Sequence, residues 1–212
     1  MKYAFKEWDV TVEALGKGLI TAVWRKGGIE DTPSFFSEGS FNIEQNQFIL
    51  YPTYHHQSIQ KIKRNLWSLE NQNKQLIKDN QVQIKYWAEI YDSIEIENIE
   101  QLLAISSYVV NENHHLAESF NTNPEHKGKI LILRVYELSI PILIPNSKNY
   151  AGCKSWIELN IDIPKIRSKS VLGFKEFNHT SKKIKSLIRN LSTQNSDPSE
   201  LVSSTPNLQK VF

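Results

Sequence analysis

The segment ILILRVYEL, residues 130–138, is the strongest β-strand signal in a chain of 212 residues. Leucine, β-branched and aromatic residues fill most of its nine positions, a composition that predicts a strand. Pro141 and Pro145 follow closely. Because proline has no N–H to donate to a neighbouring strand, they confine the continuation to a sheet edge or an extended arm.

Further strand signals lie on both sides of this segment. Upstream, VQIKYWAEIYDSIEI (residues 82–96) alternates its side chains, and Asp92 with Ser93 marks an expected bend or bulge. LITAVWR (19–25) and FNIEQNQFILY (41–51) have β-type composition. A last short strand is expected within NYAGCKSWIEL (149–159).

Helical periodicity is the second signal. Apolar residues recur at three- and four-residue steps over residues 4–15, which end at Gly16, and again over 58–69. A helical region with a break is expected from Ile99 to Phe120, and a C-terminal helix over 184–191.

The order of these elements predicts an α+β fold. The early strands are connected too closely for the crossovers that parallel pairing requires, so a doubly wound sheet is not expected. We expect a mixed, largely antiparallel, barrel-like sheet that is packed with helices.

The chain length allows one ordinary domain and a tail. We expect one globular domain over residues 1–160 with an amide-rich insertion near 70–83, a basic C-terminal extension with a helix over 161–191, and a disordered tail over 192–212. The extension suits either phosphate contact or a solvated helix face. Its cations are Lys165, Arg167, Lys169, Lys175, Lys182, Lys183, Lys185 and Arg189.

Composition argues against several classes of protein. No apolar stretch approaches the roughly 20 residues needed to cross a bilayer, and charges interrupt the N-terminal segment where a signal peptide is apolar. The only cysteine, Cys153, has no internal disulfide partner. We therefore expect a cytoplasmic protein with no membrane partner, and the formal net charge of +2 does not by itself indicate nucleic acid.

The stretch WRKGG carries the residue types of an anion site. Arg25 and Lys26 can meet phosphate oxygens, and Gly27 and Gly28 let backbone N–H groups approach an anion. The stretch matches neither the phosphate loop of nucleotide triphosphatases nor the dinucleotide-binding fingerprint. The alternative is an ordinary turn whose cations point into water.

The stretch YPTYHHQ, residues 51–57, crowds aromatic and hydrogen-bonding side chains around one proline. A tyrosine here can stack on a planar ligand, and its polar neighbours can bond to base edges or phosphate. The alternative is a helix cap at Thr53 or Ser58. The predicted ligand-binding set, which includes a tryptophan further along the chain, is Arg25, Lys26, Gly27, Gly28, Tyr51, Thr53, Tyr54, His55, Gln57 and Trp156.

Metal binding and nucleophilic catalysis have weaker support. Adjacent side chains point apart on a strand and lie about 100° apart on a helix, so neither histidine pair, at 55–56 and 114–115, is expected to chelate one ion alone. We expect no metal site and no cofactor. Cys153 beside Lys154 is interpreted as a small packing residue rather than as an activated thiol.

The chain resembles an uncharacterised bacterial family, domain of unknown function 1802, which is frequent in cyanobacteria. The matching pieces span Lys6 to Leu159 and are KEWDVTVEALGKG, RKGGI, FILYPTYHHQ, YWAEI, LRVYEL and YAGCKSWIEL. This resemblance implies no reaction, cofactor or catalytic residue.

The succession of strands is also similar to the small pseudo-barrels of the PUA, ASCH and EVE group. Members of that group bind RNA or modified bases in a cleft between barrel and helices. The likeness implies a cleft whose lining, by analogy of fold alone, is Arg25, Lys26, Tyr51, Thr53 and Tyr54.

The leading hypothesis is a nucleic-acid-binding or nucleotide-binding domain of PUA-like type without an evident catalytic motif, with RNA or single-stranded DNA as its partner. The cations of WRKGG would contact phosphate, and Tyr54 and Trp156 would stack. The first alternative is a metal-dependent hydrolase acting on nucleic acid, in which His55 and a carboxylate such as Glu89 supply acid–base chemistry. The second is a protein-interaction module with a protein partner.

Overall fold

The computed structural model describes residues 1–26, 41–70, 76, 80–122, 127–164 and 167–192. These residues form a curled, half-barrel sheet with helices packed on it, which confirms the predicted α+β class. The strands are β1 (Tyr3–Trp8), β2 (Ala22–Lys26), β3 (Gln47–Thr53), β4 (Gln81–Ile96), β5 (Gly128–Pro145), β6 (Trp156–Glu158) and β7 (Ser168–Ser170).

The sheet is mixed and largely antiparallel, as predicted. Its strand order is β2-β5-β4-β3-β1-β6, and β7 pairs with β5 beside this path. β1 and β3 are parallel, whereas the remaining pairs are antiparallel. The helices are α1 (Asp9–Gly16), α2 (Ile99–Ala104), α3 (Asn113–Asn121) and α4 (Phe174–Ser192).

Strand β5 lies between two apolar cores. Leu131 and Leu133 point into the core that α1 shares with the sheet, whereas Ile130 and Ile132 point into the core formed with α2, α3 and α4. All four side chains are buried. Because successive residues of a strand face opposite sides, burial on both faces explains why this segment has no polar alternation.

Strand β4 pairs with β5 along almost its whole length. The register shifts between Ile84 and Tyr86 and again between Ile90 and Asp92. The second shift confirms the bulge that the sequence predicts near Asp92. Such irregularities increase local twist, which lets the sheet curl.

The predicted helix over residues 4–15 is wrong in its first half. Residues 3–8 are extended because β1 pairs with β3 on one side and with β6 on the other, and only Asp9–Gly16 is helical. Residues 58–69 are not one helix either, since they form two short 3-10 turns, Ile59–Lys61 and Arg64–Leu69. Between the turns Ile62 forms a β-bridge with Asn111, which interrupts the helical hydrogen bonds.

The C-terminal elements share the sheet and the core of the preceding residues, beyond the expected domain limit at residue 160. Phe177, Ile184 and Ile188 of α4 are buried in the same core as β5 and α2. Two cations of the basic extension pair with acids of the sheet, Lys185 with Asp92 at 2.5 Å and Lys169 with Glu137 at 3.1 Å.

Parts of the predicted organisation lie outside the described residues. These are Gly27 and Gly28, most of the amide-rich insertion near 70–83, and the expected tail beyond Ser192. Within the described ranges, no helix has the length and apolarity needed to span a membrane.

Gly16 at the end of α1 lies against the ring of Tyr86. A β-carbon added at residue 16 would lie 2.1 Å from Tyr86 Cζ, whereas one added at Gly173 would meet no atom within 4 Å. We expect Gly16→Ala to lower the free energy of unfolding by about 1–3 kcal/mol, because the ring must move within a packed core. The control Gly173→Ala is expected to change it by about 0.5 kcal/mol or less. Urea denaturation measures both values, and equal effects of the two substitutions would contradict the close approach.

Candidate cleft at the strand ends

A cleft of about 300 Å³ lies where the ends of β1, β2 and β3 meet α3 and the loop before β6. Because β1 and β3 are parallel, Trp8 lies opposite Thr53 and both strands end at the cleft. Arg25 and Lys26 line it from β2, and His55 and His56 line it from the turn after β3. The two stretches singled out in the sequence therefore meet in one place.

Arg25 is held by an ion pair rather than free for a ligand. Its Nη2 lies 2.7 Å from Glu7 Oε1 and donates a hydrogen bond of 2.6 Å to the Lys6 carbonyl. The guanidinium also lies 4.6 Å from the ring centre of Phe5. Since β1 and β2 are not neighbours in the sheet, this side chain joins two strands that backbone hydrogen bonds do not connect.

The Glu7 carboxyl is the acidic group of the described cleft lining. Burial raises the pKa of Glu7 above its ordinary value of 4.5, and Arg25 acts in the opposite direction. The ionisation of the buried Glu7 carboxyl therefore depends on Arg25.

Lys26 is engaged with the C-terminal end of α3. Its Nζ donates hydrogen bonds to the carbonyls of Ser119, Phe120 and Thr122, and burial lowers its pKa. A lysine in this position satisfies helix carbonyls that have no partner in the helix. Both cations predicted to contact phosphate thus have partners within the protein.

Three aromatic residues of the predicted ligand-binding set do not line the cleft. Trp156 is 8% exposed, packs against Phe5 with ring centres 4.8 Å apart, and donates its indole N–H to the Asn42 carbonyl. Tyr51 is buried on β3 and donates its hydroxyl to Asn146 Oδ1 at 3.0 Å. Of the cleft lining implied by the PUA-like architecture, Arg25, Lys26 and Thr53 are present and Tyr51 and Tyr54 are not.

Tyr54 and Gln57 tie the turn after β3 to the start of α1. The Tyr54 hydroxyl donates to Asp9 Oδ2 at 2.8 Å, and Gln57 Oε1 accepts from the Val10 N–H at 3.2 Å. The second bond satisfies one of the first N–H groups of the helix, which have no partner within it. These two predicted ligand-binding side chains therefore position the turn.

Two tryptophans outside the predicted ligand-binding set form aromatic walls of the cleft. Trp8 lies nearly parallel to the ring of His115, with ring centres 6.1 Å apart. Trp24 donates its indole N–H to Ser119 Oγ at 3.0 Å. Gly128 makes room for the Trp24 ring, since a β-carbon at residue 128 would lie 1.8 Å from it. The apolar periodicity of residues 4–15 predicted a helix that includes Trp8, so the sequence did not indicate that this ring lies at a strand end.

His55, His56 and Cys153 form a cluster on the cleft wall. Cys153 Sγ lies 3.6 Å from His55 Nε2 and 3.7 Å from His56 Nε2, and the two imidazole centres are 3.9 Å apart. The expectation that adjacent histidines point apart is wrong here, because His56 adopts a left-handed backbone with φ of 58°. Among the described residues, this group has the spacing needed to hold a metal ion.

The acid–base pair of the hydrolase alternative is not assembled. Glu89 lies opposite Gln47 at the start of β3, whereas His55 follows the end of that strand. The Glu89 carboxylate accepts hydrogen bonds from the Tyr136 hydroxyl and from Gln47 Nε2. His115 reaches the cleft from α3, and burial lowers its pKa.

The fold and the cleft together define an α+β domain with a half-barrel sheet and a basic, aromatic-walled cleft at its strand ends. The sequence matches the family described as "Domain of unknown function (DUF1802)" over residues 4–183, and the chain belongs to this family. The match extends beyond Leu159, where the resemblance seen in the sequence ended. No curated protein matches the chain.

The solved structures that match this chain include the ASCH protein from Zymomonas mobilis. That crystal structure has a TM-score of 0.41 and 12% identity, over 87% of this chain and 94% of that chain. A mutant form of the same protein has a TM-score of 0.42 and 12% identity, over 74% of this chain and 87% of that chain.

Removing Arg25 tests the electrostatics of the cleft floor. We expect Arg25→Met to lower the free energy of unfolding by about 3 kcal/mol near pH 8, because the buried Glu7 carboxylate loses its partner. The pKa of Glu7 then rises further above that of the unfolded chain, so the folded state retains the proton to a higher pH. The loss of stability is therefore largest above the raised pKa and becomes smaller toward about pH 5.

Urea denaturation at the two pH values measures this dependence. The double variant Arg25→Met/Glu7→Gln is the control, and it should recover much of the lost stability because no buried charge remains unpaired. A loss that is the same at both pH values, or that the second substitution does not reduce, would refute a buried ion pair at this position.

Proposed function

We propose that the cleft binds one nucleotide unit of single-stranded nucleic acid and that the domain is a nucleic-acid-binding module. The supporting observation is that one cleft, about the size of a nucleoside, is lined by two indole rings and by more cationic than acidic side chains. Its volume of about 300 Å³ is at the lower end for ligand sites, which suits one base and its sugar rather than a run of stacked bases.

The charge of the described lining favours an anion. It contains the cations Lys6, Arg25, Lys26 and Lys154 and the single acid Glu7, whose charge Arg25 offsets. Lys154 is exposed and forms no ion pair with any described residue. It is therefore the cation of the lining that is available to a phosphate group.

Lys6 supports this arrangement from below. Its Nζ donates hydrogen bonds of 2.7 Å to the carbonyls of Tyr150 and Gly152. Its backbone N–H donates to the Ser155 carbonyl at 2.8 Å. Lys6 thus fixes both ends of the loop that presents Lys154 to the cleft.

The walls of the cleft supply surfaces for a base. Trp8 and Trp24 are half-buried, so each has a part of its ring available at the cleft. Stacking of a base on an aromatic ring contributes about 1–3 kcal/mol and tolerates any base, because every base has a π-face. Thr53 and the imidazoles of the lining can donate to or accept from base edges.

Binding is tested with short single-stranded RNA and DNA oligonucleotides by fluorescence anisotropy over a series of salt concentrations. We expect affinity to fall as salt rises, since phosphate contacts release counterions. Lys154→Ala should weaken binding and reduce the slope of log affinity against log salt by about one. Trp8→Leu should weaken binding by about 1–3 kcal/mol through lost stacking.

Lys148→Ala is the matched control, because Lys148 is an exposed lysine close to the same loop that does not line the cleft. Thermal unfolding of each variant verifies that the fold is intact. Absence of binding at low salt would refute the proposal. Binding that is unchanged in both the Lys154 and Trp8 variants would place the nucleic acid elsewhere and refute the role of the cleft.

A further inference from the structure

We propose that His55, His56 and Cys153 form a binding site for one Zn²⁺ ion on the wall of the cleft. The site goes beyond nucleotide binding and does not depend on it. A thiolate and two imidazoles are ligands that Zn²⁺ favours, whereas Mg²⁺ and Ca²⁺ favour oxygen ligands. The three side chains are exposed at the cleft, so an ion can reach them from solvent.

The distances agree with tetrahedral coordination. With Zn–S near 2.3 Å and Zn–N near 2.0–2.1 Å, sulfur and nitrogen ligands of one tetrahedral zinc lie roughly 3.5 Å apart. Cys153 Sγ lies 3.6 and 3.7 Å from the two imidazole Nε2 atoms, and all three ligand atoms lie within 4.8 Å of one another. Small rotations of exposed side chains therefore suffice to close the site around an ion.

The histidine ligands are presented by a tight turn that is fixed at both ends. The Gln57 N–H donates to the Tyr54 carbonyl at 3.1 Å, which places His55 and His56 at the two central positions of the turn. The positive φ of His56 brings both imidazoles to one side. The side chains of Tyr54 and Gln57 bind α1, so the turn is held against a helix.

The cysteine ligand comes from the loop that Lys6 holds. Hydrogen bonds from Lys6 to Tyr150, Gly152 and Ser155 fix the loop on both sides of Cys153. The turn and the loop are thus each anchored before an ion binds, which reduces the ordering that binding requires.

Three protein ligands leave one tetrahedral position for water or for a ligand in the cleft. Structural zinc sites usually have four protein ligands, whereas sites with three protein ligands keep an open position. A zinc ion with one thiolate carries a net charge of +1, which adds to the positive charge of the cleft. The ion could therefore contact an anionic group that also meets Lys154.

The first test uses the full chain without an affinity tag, freed of metal by a chelator and then titrated with Co²⁺ in place of Zn²⁺. We expect thiolate-to-cobalt charge-transfer absorption and tetrahedral d–d bands that saturate at one equivalent per chain. The chain has a single cysteine, so the charge-transfer band can arise only from Cys153. Added Zn²⁺ should displace Co²⁺ and abolish both bands.

The second test measures Zn²⁺ affinity by competition with a chromophoric chelator. We expect Cys153→Ser, His55→Ala and His56→Ala each to weaken binding at least about 10-fold. His114→Ala is the control, because His114 is an exposed histidine that does not belong to the cluster, and it should leave the affinity unchanged. Size-exclusion chromatography at each titration point verifies that one chain, and not a pair of chains joined by the ion, holds the metal.

Absence of the charge-transfer band would overturn the proposal, because Cys153 then does not bind the metal. A band that persists in the His55 and His56 variants, or that appears only with dimerisation, would also overturn it. These readouts need no nucleic acid. If the chain binds Zn²⁺ but no oligonucleotide, the metal site stands and the proposed function is refuted. If it binds oligonucleotides but no Zn²⁺, the proposed function stands and the metal site is refuted.

Discussion

Burial of β5 on both faces is the constraint on which the rest of the structure depends. A strand with apolar side chains on its two sides must be covered twice, and α1 covers one side while α2, α3 and α4 cover the other. The same requirement explains why α4 packs with the elements that precede it. β4 follows β5 over most of its length and bends where the register shifts, so the curl of the sheet follows from this central pair.

The curled sheet places β2 near β1, and a side chain rather than backbone hydrogen bonds connects these two strands. Arg25 reaches from β2 to Glu7 and to the Lys6 carbonyl of β1. The cleft lies at this junction and is lined by the ends of both strands. Charged groups therefore differ in their surroundings there, since Arg25 and Glu7 connect two strands whereas Lys154 is exposed at the cleft.

The sequence predicted the strands better than the site, for physical reasons. The composition of long strands such as β4 and β5 is enough to predict them. In contrast, β1 carries apolar residues at helical spacing and is extended only because β3 and β6 pair with it. Likewise, the sequence identified Arg25 and His55 as cleft residues but could not show that the Arg25 guanidinium forms an ion pair with Glu7. The cluster with Cys153 was missed because it depends on one backbone angle, at His56, and on a contact across 97 residues.

The contact between Lys6 of β1 and the loop before β6 has a consequence for the order in which the cleft forms during synthesis. Lys6 must find carbonyls 144 and 146 residues further along the chain before the loop beside the cleft takes its place. Contacts of such long sequence separation form slowly, since much chain entropy is lost before they are made. The lining of the cleft is therefore complete only once synthesis has passed Ser155, and nascent chains that end before this residue are expected to lack the cleft.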